Sequence, residues 1–173
     1  MTKTKKRISP SSEAKRILGE FGDKVPIDLH RIFEHYKISV RKHDLEESVS
    51  GMLVIKGGHA VVGINESHHP NRQRFTMAHE LGHFLLHAEE TKVFVDSSPV
   101  FFRDATASEG ISTAEIEANN FAAEILMPEK FIREQVKKHP IDAFDDVSVR
   151  RLASKLQVSV QALTIRLTNL KLL

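Results

Sequence analysis

Arg72-Gln73-Arg74-Phe75-Thr76-Met77-Ala78-His79-Glu80-Leu81-Gly82-His83-Phe84-Leu85-Leu86-His87 carries two histidines four positions apart, with a glutamate directly after the first. On a helix, positions i and i+4 share a face, so His79 and His83 can turn two neutral imidazoles toward one metal ion. Glu80 then stays free to act as general base toward a water beside that ion, which is the arrangement of a zinc peptidase's catalytic helix. Residue frequencies alone would place H-E-x-x-H in on the order of a few per hundred chains of this histidine content, so the surrounding pattern has to carry the reading. It does: Phe75, Ala78, Leu81, Leu85 and Leu86 approximate the helical period, Asn71 is the expected N-cap, and no proline interrupts the run. Gly82 stands out, because glycine costs about 1 kcal/mol in a helix interior. Its missing side chain is expected to let another backbone or a substrate approach closely beside the metal.

Such sites use a third protein ligand and leave a fourth position to water. His87 shares the face of His79 and His83, but its Cα lies about 12 Å along the helix from that of His79, too far for three imidazoles to converge on one ion. His87 is expected near the helix end, bonding orphan carbonyls or a group behind the ligands. The stronger source of a ligand is Ser112-Thr113-Ala114-Glu115-Ile116-Glu117-Ala118-Asn119-Asn120-Phe121-Ala122-Ala123-Glu124-Ile125-Leu126-Met127-Pro128. Ser112 and Glu115 form a capping box, Ile116, Phe121 and Ile125 with several alanines make a close-packing face, and Pro128 starts a new helix. Glu115, Glu117 and Glu124 compete for the third position. Glu117 and Glu124 are nearly in phase and Glu115 points elsewhere, but periodicity does not choose among them.

These two stretches, in this order, resemble the ImmA/IrrE metallopeptidases. The resemblance extends to Ser50-Gly51-Met52 before one short strand, to Gly63-Ile64-Asn65 at the end of the next, and to Arg103 ahead of the second helix, so it covers nearly the whole chain. It implies an α+β fold with a zincin-like helical peptidase core and a small antiparallel sheet, and it puts the third metal ligand on Glu117, with Glu124 outside the ligand set. It further implies an intracellular endopeptidase whose substrate is a transcriptional repressor of the XRE family, cleaved to relieve repression in a mobile element or a stress response. His79, His83 and Glu117 would hold Zn2+, with Mn2+ as the alternative ion. Glu80 would take the proton of the attacking water and return it to the leaving amine. An oxyanion donor is harder to find: the only tyrosine, Tyr36, sits in an early amphipathic helix and is expected to pack, which leaves His87 or a backbone N–H.

Ahead of the catalytic helix, Met52-Leu53-Val54-Ile55 and Ala60-Val61-Val62-Gly63-Ile64 flank Lys56-Gly57-Gly58-His59, a β-hairpin with a Gly-Gly turn. At the edge of a sheet it would offer free backbone groups to an extended peptide; an ordinary structural hairpin fits equally well. Further helices are expected over 12–21, ended by Gly22, and over 28–36, followed by a strand over 38–42. Residues 91–110 read as a long loop with short strands at 93–95 and 100–102, a candidate lid or specificity loop.

Composition narrows the function classes. With 173 residues and 40% hydrophobic content the chain can bury one substantial core, and no apolar stretch approaches membrane-spanning length. The absence of cysteine removes disulfides and thiolate ligands and suits a cytoplasmic location. Met1-Thr2-Lys3-Thr4-Lys5-Lys6-Arg7 is basic but lacks the apolar stretch of a secretory signal, so residues 1–10 are expected to be a flexible tail. A net charge of +2 with 6% aromatics leaves no broad nucleic-acid footprint. The peptidase domain is assigned to 11–139 and a C-terminal helix-turn-helix-like pair to 140–173, packed on the peptidase core. In that pair Ala153, Val158 and Ile165 have the right apolar spacing and Ser159 is a cap. DNA binding would need Gln161 and Arg166 to face a groove; a helix pair that closes the core needs no DNA, so specific DNA binding is not expected. The competing reading is a non-catalytic regulator that keeps the fold and binds DNA or a partner protein. It gives no reason to retain the complete catalytic set.

Overall fold

Helix starts follow the capping residues. In the computed structural model, which describes residues 9–88, 91–96, 113–139 and 146–173, α1 (Pro10–Phe21) opens with Ser9 Oγ accepting from the N–H of Ser12 and closes at Gly22, whose φ of 93° suits a residue without Cβ. α2 (Leu29–His35) is capped by Asp28, which accepts from the N–H of Arg31. Ala14, Ile17, Leu18, Leu29, Ile32 and Phe33 of these helices are buried in the core. Three strands follow: β1 (Ile38–His43), β2 (Gly51–Lys56) and β3 (His59–Asn65). β2 and β3 form the expected hairpin, turned by Gly57 and Gly58 at φ 56° and 77°, the left-handed pair that a two-residue turn requires.

The sheet differs from the expected antiparallel one. Its order is β1-β3-β2-β4, with β4 (Thr91–Asp96) antiparallel to β2 and β1 parallel to β3. The chain leaves β1, passes β3 and enters β2, so β1 and β3 run the same way and the sheet is mixed. Both hairpin strands consequently have a neighbour on each side. The hairpin is not the free edge; among the described residues the outer strands are β1 and β4.

The crossing segment between β1 and β2 is organised by one buried side chain. Asn65 donates its Nδ2 to the carbonyls of Leu45, Glu46 and Val49, and its Oδ1 accepts from the N–H and hydroxyl of Ser67. Asn65 is fully buried, and burial of an amide is tolerated because all these bonds are made. The clamp fixes where Ser50 and Gly51 enter β2, which matters for the site below.

α3 (Pro70–His87) begins before Asn71: His69 is the cap, its Nδ1 accepting from the N–H of Asn71, and Pro70 occupies the first helical turn. Proline is preorganised for that position and needs no donor there, so the start moves ahead of the expected cap. Asn71 instead donates Nδ2 to the Val158 carbonyl at 3.0 Å, joining the helix start to the C-terminal segment. α4 (Thr113–Leu126) and α5 (Glu129–Lys138) follow, then α6 (Asp146–Leu156) and α7 (Val160–Asn169). Ser159 caps α7 as expected, its Oγ accepting from the N–H of Ala162. Ser112 of the expected capping box, Arg103, the expected strand at 100–102 and residues 1–8 of the basic tail lie outside the described residues.

Arg166 of α7 does not face outward. Its Nε donates to the Met127 carbonyl at 3.2 Å and its Nη2 pairs with Glu124, whose other oxygen accepts from the N–H of Glu129 at the start of α5. Glu124 is buried and Arg166 largely so, and breaking a buried pair from one side costs up to about 3–5 kcal/mol because a charge is left without its partner. Arg166 thereby ties α7 to the corner between α4 and α5 and is not presented to a DNA groove. No helix among the described residues is long and apolar enough to cross a membrane.

Candidate metal centre

α3 and α4 pack closely because of Gly82. A Cβ at Gly82 would meet Ala118 Cα at 3.1 Å, Phe121 Cδ1 at 3.1 Å and the Ala118 carbonyl at 3.2 Å. The missing side chain thus admits the α4 backbone itself, one of the two uses expected of it. Ala118, also small, is the α4 residue that faces it. Glu115, one turn before Ala118, and Asn119, the residue after it, are thereby carried over the His79–His83 face of α3.

The carboxylate that arrives there is Glu115. His79 Nε2 and His83 Nε2 lie 3.0 Å apart. The Glu115 oxygens stand 3.2 Å from His79 Nε2 and 3.1 Å from His83 Nε2. Tetrahedral bonds of about 2.0–2.1 Å place ligand atoms roughly 3.3 Å from one another, so the three donors have the separations that one small divalent ion requires. Asn119, one turn after Glu115, accepts a hydrogen bond from His79 Nδ1 at 2.9 Å. That bond fixes the His79 proton on Nδ1 and leaves the Nε2 lone pair toward the other two donors. Burial pushes the Glu115 carboxyl up, but the hydrogen bonds and charge that His79 and His83 supply whenever their Nε2 atoms are protonated outweigh it and hold the group below the ordinary carboxylate range. The group is therefore an anion, the form in which it ligates.

Glu117, the expected third ligand, is elsewhere. Its Oε2 lies 3.4 Å from His87 Nε2, one turn beyond the His79–His83 pair. The reason is helical phase: Glu117 is about 200° around α4 from Glu115, whereas Asn119 is about 40° from it. Only the Glu115–Asn119 side can face the two imidazoles once Ala118 is seated on Gly82. Glu124, the third competitor, is consumed by Arg166 and the start of α5. His87 is not among the converging ligand atoms; its ring lies 5.8 Å from that of His83. Tyr36 packs, as expected, with its ring 6.1 Å from Phe84 and its hydroxyl accepting from Arg16.

Glu80 is fully buried beside this cluster. Its Oε1 lies 3.5 Å from where a Cβ on Gly51 would be, and the same Cβ would collide with Thr76 Cγ2 and come within 2.8 Å of the Gly63 carbonyl. Gly51 thus lets the start of β2 press against α3 at Thr76 and Glu80. This gives the Ser50-Gly51 pair and the Asn65 clamp a common purpose, the placement of β2 against α3.

A family model named Peptidase_M78 and described as IrrE N-terminal-like domain matches residues 33–168. The chain belongs to this family, the ImmA/IrrE metallopeptidases. Radiation response metalloprotease IrrE of Deinococcus radiodurans is 38% identical over 81 residues, which are 46% of this chain and 23% of that protein. Uncharacterized immunity region protein 2 of Bacillus phage phi105 is 24% identical over 120 residues, 69% of this chain and 70% of the phage protein. The matched stretch thus spans less than a quarter of the Deinococcus protein. Family membership accords with the zincin-like α+β fold, in which two helices crossing at a metal centre lie against a small sheet.

For this ImmA/IrrE member, Asn119 is the site residue that sequence reasoning passed over. A signal was present: Glu115 and Asn119 stand in the same i, i+4 relation on α4 as His79 and His83 on α3. Asn119→Ala should weaken divalent-metal affinity by about 10–100-fold, the usual cost of removing the partner that orients a ligating histidine. Isothermal titration with Zn2+ checks this, and an unchanged affinity would show that Asn119 does not orient His79.

Proposed function

We propose that the protein is a zinc-dependent endopeptidase that hydrolyses one peptide bond in an XRE-family transcriptional repressor, relieving repression in a mobile element or a stress response. The observation that carries this reading is the convergence of His79, His83 and Glu115 with the buried Glu80 beside them. On this reading Zn2+ is the resident ion, with Mn2+ the alternative, and His79, His83 and Glu115 hold it. When bound, the ion acidifies water and polarises the scissile carbonyl. Glu80 accepts the water proton as the water oxygen bonds to the carbonyl carbon, then delivers that proton to the amine nitrogen as the C–N bond breaks.

The repressor as substrate is supported by the family and by the company it keeps: one relative is named for a radiation response and the other for a phage immunity region. A reducing cytoplasm fits a cysteine-free chain. The C-terminal pair within 140–173 serves on this reading as part of the peptidase body, supported by the Arg166–Glu124 pair and the Asn71–Val158 bond, and specific DNA contact is not assigned to it.

The deciding experiment incubates the purified chain with the repressor encoded beside its gene, with and without Zn2+ or Mn2+, and reads the products by intact mass. One discrete metal-dependent cut is the expected result. Metal bound with no cut in any candidate repressor would remove the substrate assignment, and failure to bind metal at all would favour the non-catalytic regulator.

A further inference from the structure

We propose that the cavity between the N-terminal ends of α3 and α7 is a substrate subsite, built to take a bulky apolar side chain two to four residues from the scissile bond. The inference rests on the peptidase reading and adds to it a sequence preference.

The cavity has a volume of about 200 Å³. One water needs only about 10–15 Å³ of such space, so this opening is on the scale of a side chain. Phe75, Val158 and Ala162 supply its apolar walls. Most polar groups around it have work in the fold: Asn71 donates to the Val158 carbonyl, His69 Nδ1 accepts from the N–H of Asn71, Arg72 donates to Ser50 Oγ, and Ser159 Oγ accepts from the N–H of Ala162, while Gln161 is exposed. An occupant therefore meets mainly hydrocarbon, and a polar side chain would give up its water for little return.

Phe75 links the cavity to the metal centre. Its ring lines the cavity and also stacks on His79, with centroids 6.4 Å apart and planes at 28°. Along α3, Phe75 precedes His79 by four residues and Asn71 precedes it by eight, about 6 and 12 Å at 1.5 Å per residue. An extended peptide advances about 3.3 Å per residue, so a chain cut at the metal centre and running along α3 brings a side chain over the cavity two to four residues from the cut. The opposite wall comes from the α6–α7 turn. A segment outside the two site helices would in this way take part in choosing substrate.

The test digests a synthetic pool of unstructured peptides of defined sequence with the metal-loaded protein and reads the new termini by mass spectrometry. Leu, Ile, Met or Phe should be enriched at one position two to four residues from the cut, on one side of it. Ala162→Leu fills the cavity from its wall, and Gln161→Trp covers the mouth from an exposed position, so the second variant keeps the core intact if the first does not fold. In either, the ratio of kcat/KM for a bulky residue over alanine at that position should fall at least about tenfold, the scale on which an apolar pocket discriminates. Affinities of intact peptides for Glu80→Gln, read before its slowed cleavage proceeds, should follow the same ranking. A pool cut without preference at those positions, or a preference that survives in folded Ala162→Leu or Gln161→Trp, overturns the subsite while leaving the peptidase standing. A metal-loaded protein that cuts no peptide and no repressor overturns both.

Discussion

Replacing Glu80 by glutamine is expected to slow cleavage by about 10²–10⁴-fold, the usual contribution of a general base, while metal content stays at the wild-type level. Glutamine keeps the size of the side chain and its hydrogen-bonding reach, and it loses only the capacity to take and return a proton. Glu80 is fully buried and is not one of the three converging ligand atoms, so the change leaves His79, His83 and Glu115 in place. Parallel measurements of cleavage rate and of bound metal by elemental analysis separate the two roles. A variant that cleaves at the wild-type rate would remove Glu80 from the mechanism. One that loses its metal would move Glu80 into the ligand set and demand a different base.

The second large effect distinguishes two glutamates two positions apart. Glu115→Ala should lower metal affinity by more than about 100-fold, since even the loss of a group behind a ligand costs about 10–100-fold, and cleavage should fall with it. Glu117→Ala should bind metal as the parent does, because its carboxylate faces His87 and not the paired imidazoles. Metal titration of the two variants side by side is sufficient. The opposite outcome, with affinity lost in Glu117→Ala and kept in Glu115→Ala, would mean that α4 presents its other side to α3 in the metal-loaded protein, and would restore the ligand implied by resemblance.

That contrast depends on the Gly82 contact. The i, i+4 spacing of His79 and His83 is a property of one helix, set by the 3.6-residue repeat, and needs no knowledge of any other element. The third ligand is a property of two helices. Its identity depends on how far α4 is rotated about its own axis where it crosses α3, and a period carries no absolute phase. The same alternation of apolar residues is compatible with Glu115 or Glu117 at the crossing. The rotation is settled by Ala118 lying on the open face of Gly82, a pairing of small residues across 36 positions that each helix read alone does not reveal.

The residues alone already determine a helix with two histidines on one face and a glutamate beside the first, a Gly-Gly hairpin, a second amphipathic helix able to supply a carboxylate, and a capped helix pair near the C-terminus. Each of these is written in short-range chemistry: helical spacing, the φ angles that Gly57 and Gly58 permit, and the cap that Ser159 supplies. Tertiary structure alone decided which carboxylate meets the imidazoles, that β1 joins the sheet in parallel and the hairpin is covered on both sides, and that Arg166 turns inward to Glu124. These depend on packing between segments far apart in the chain, where a rotation of a helix or a strand crossing over its neighbour changes the partner without changing any local pattern.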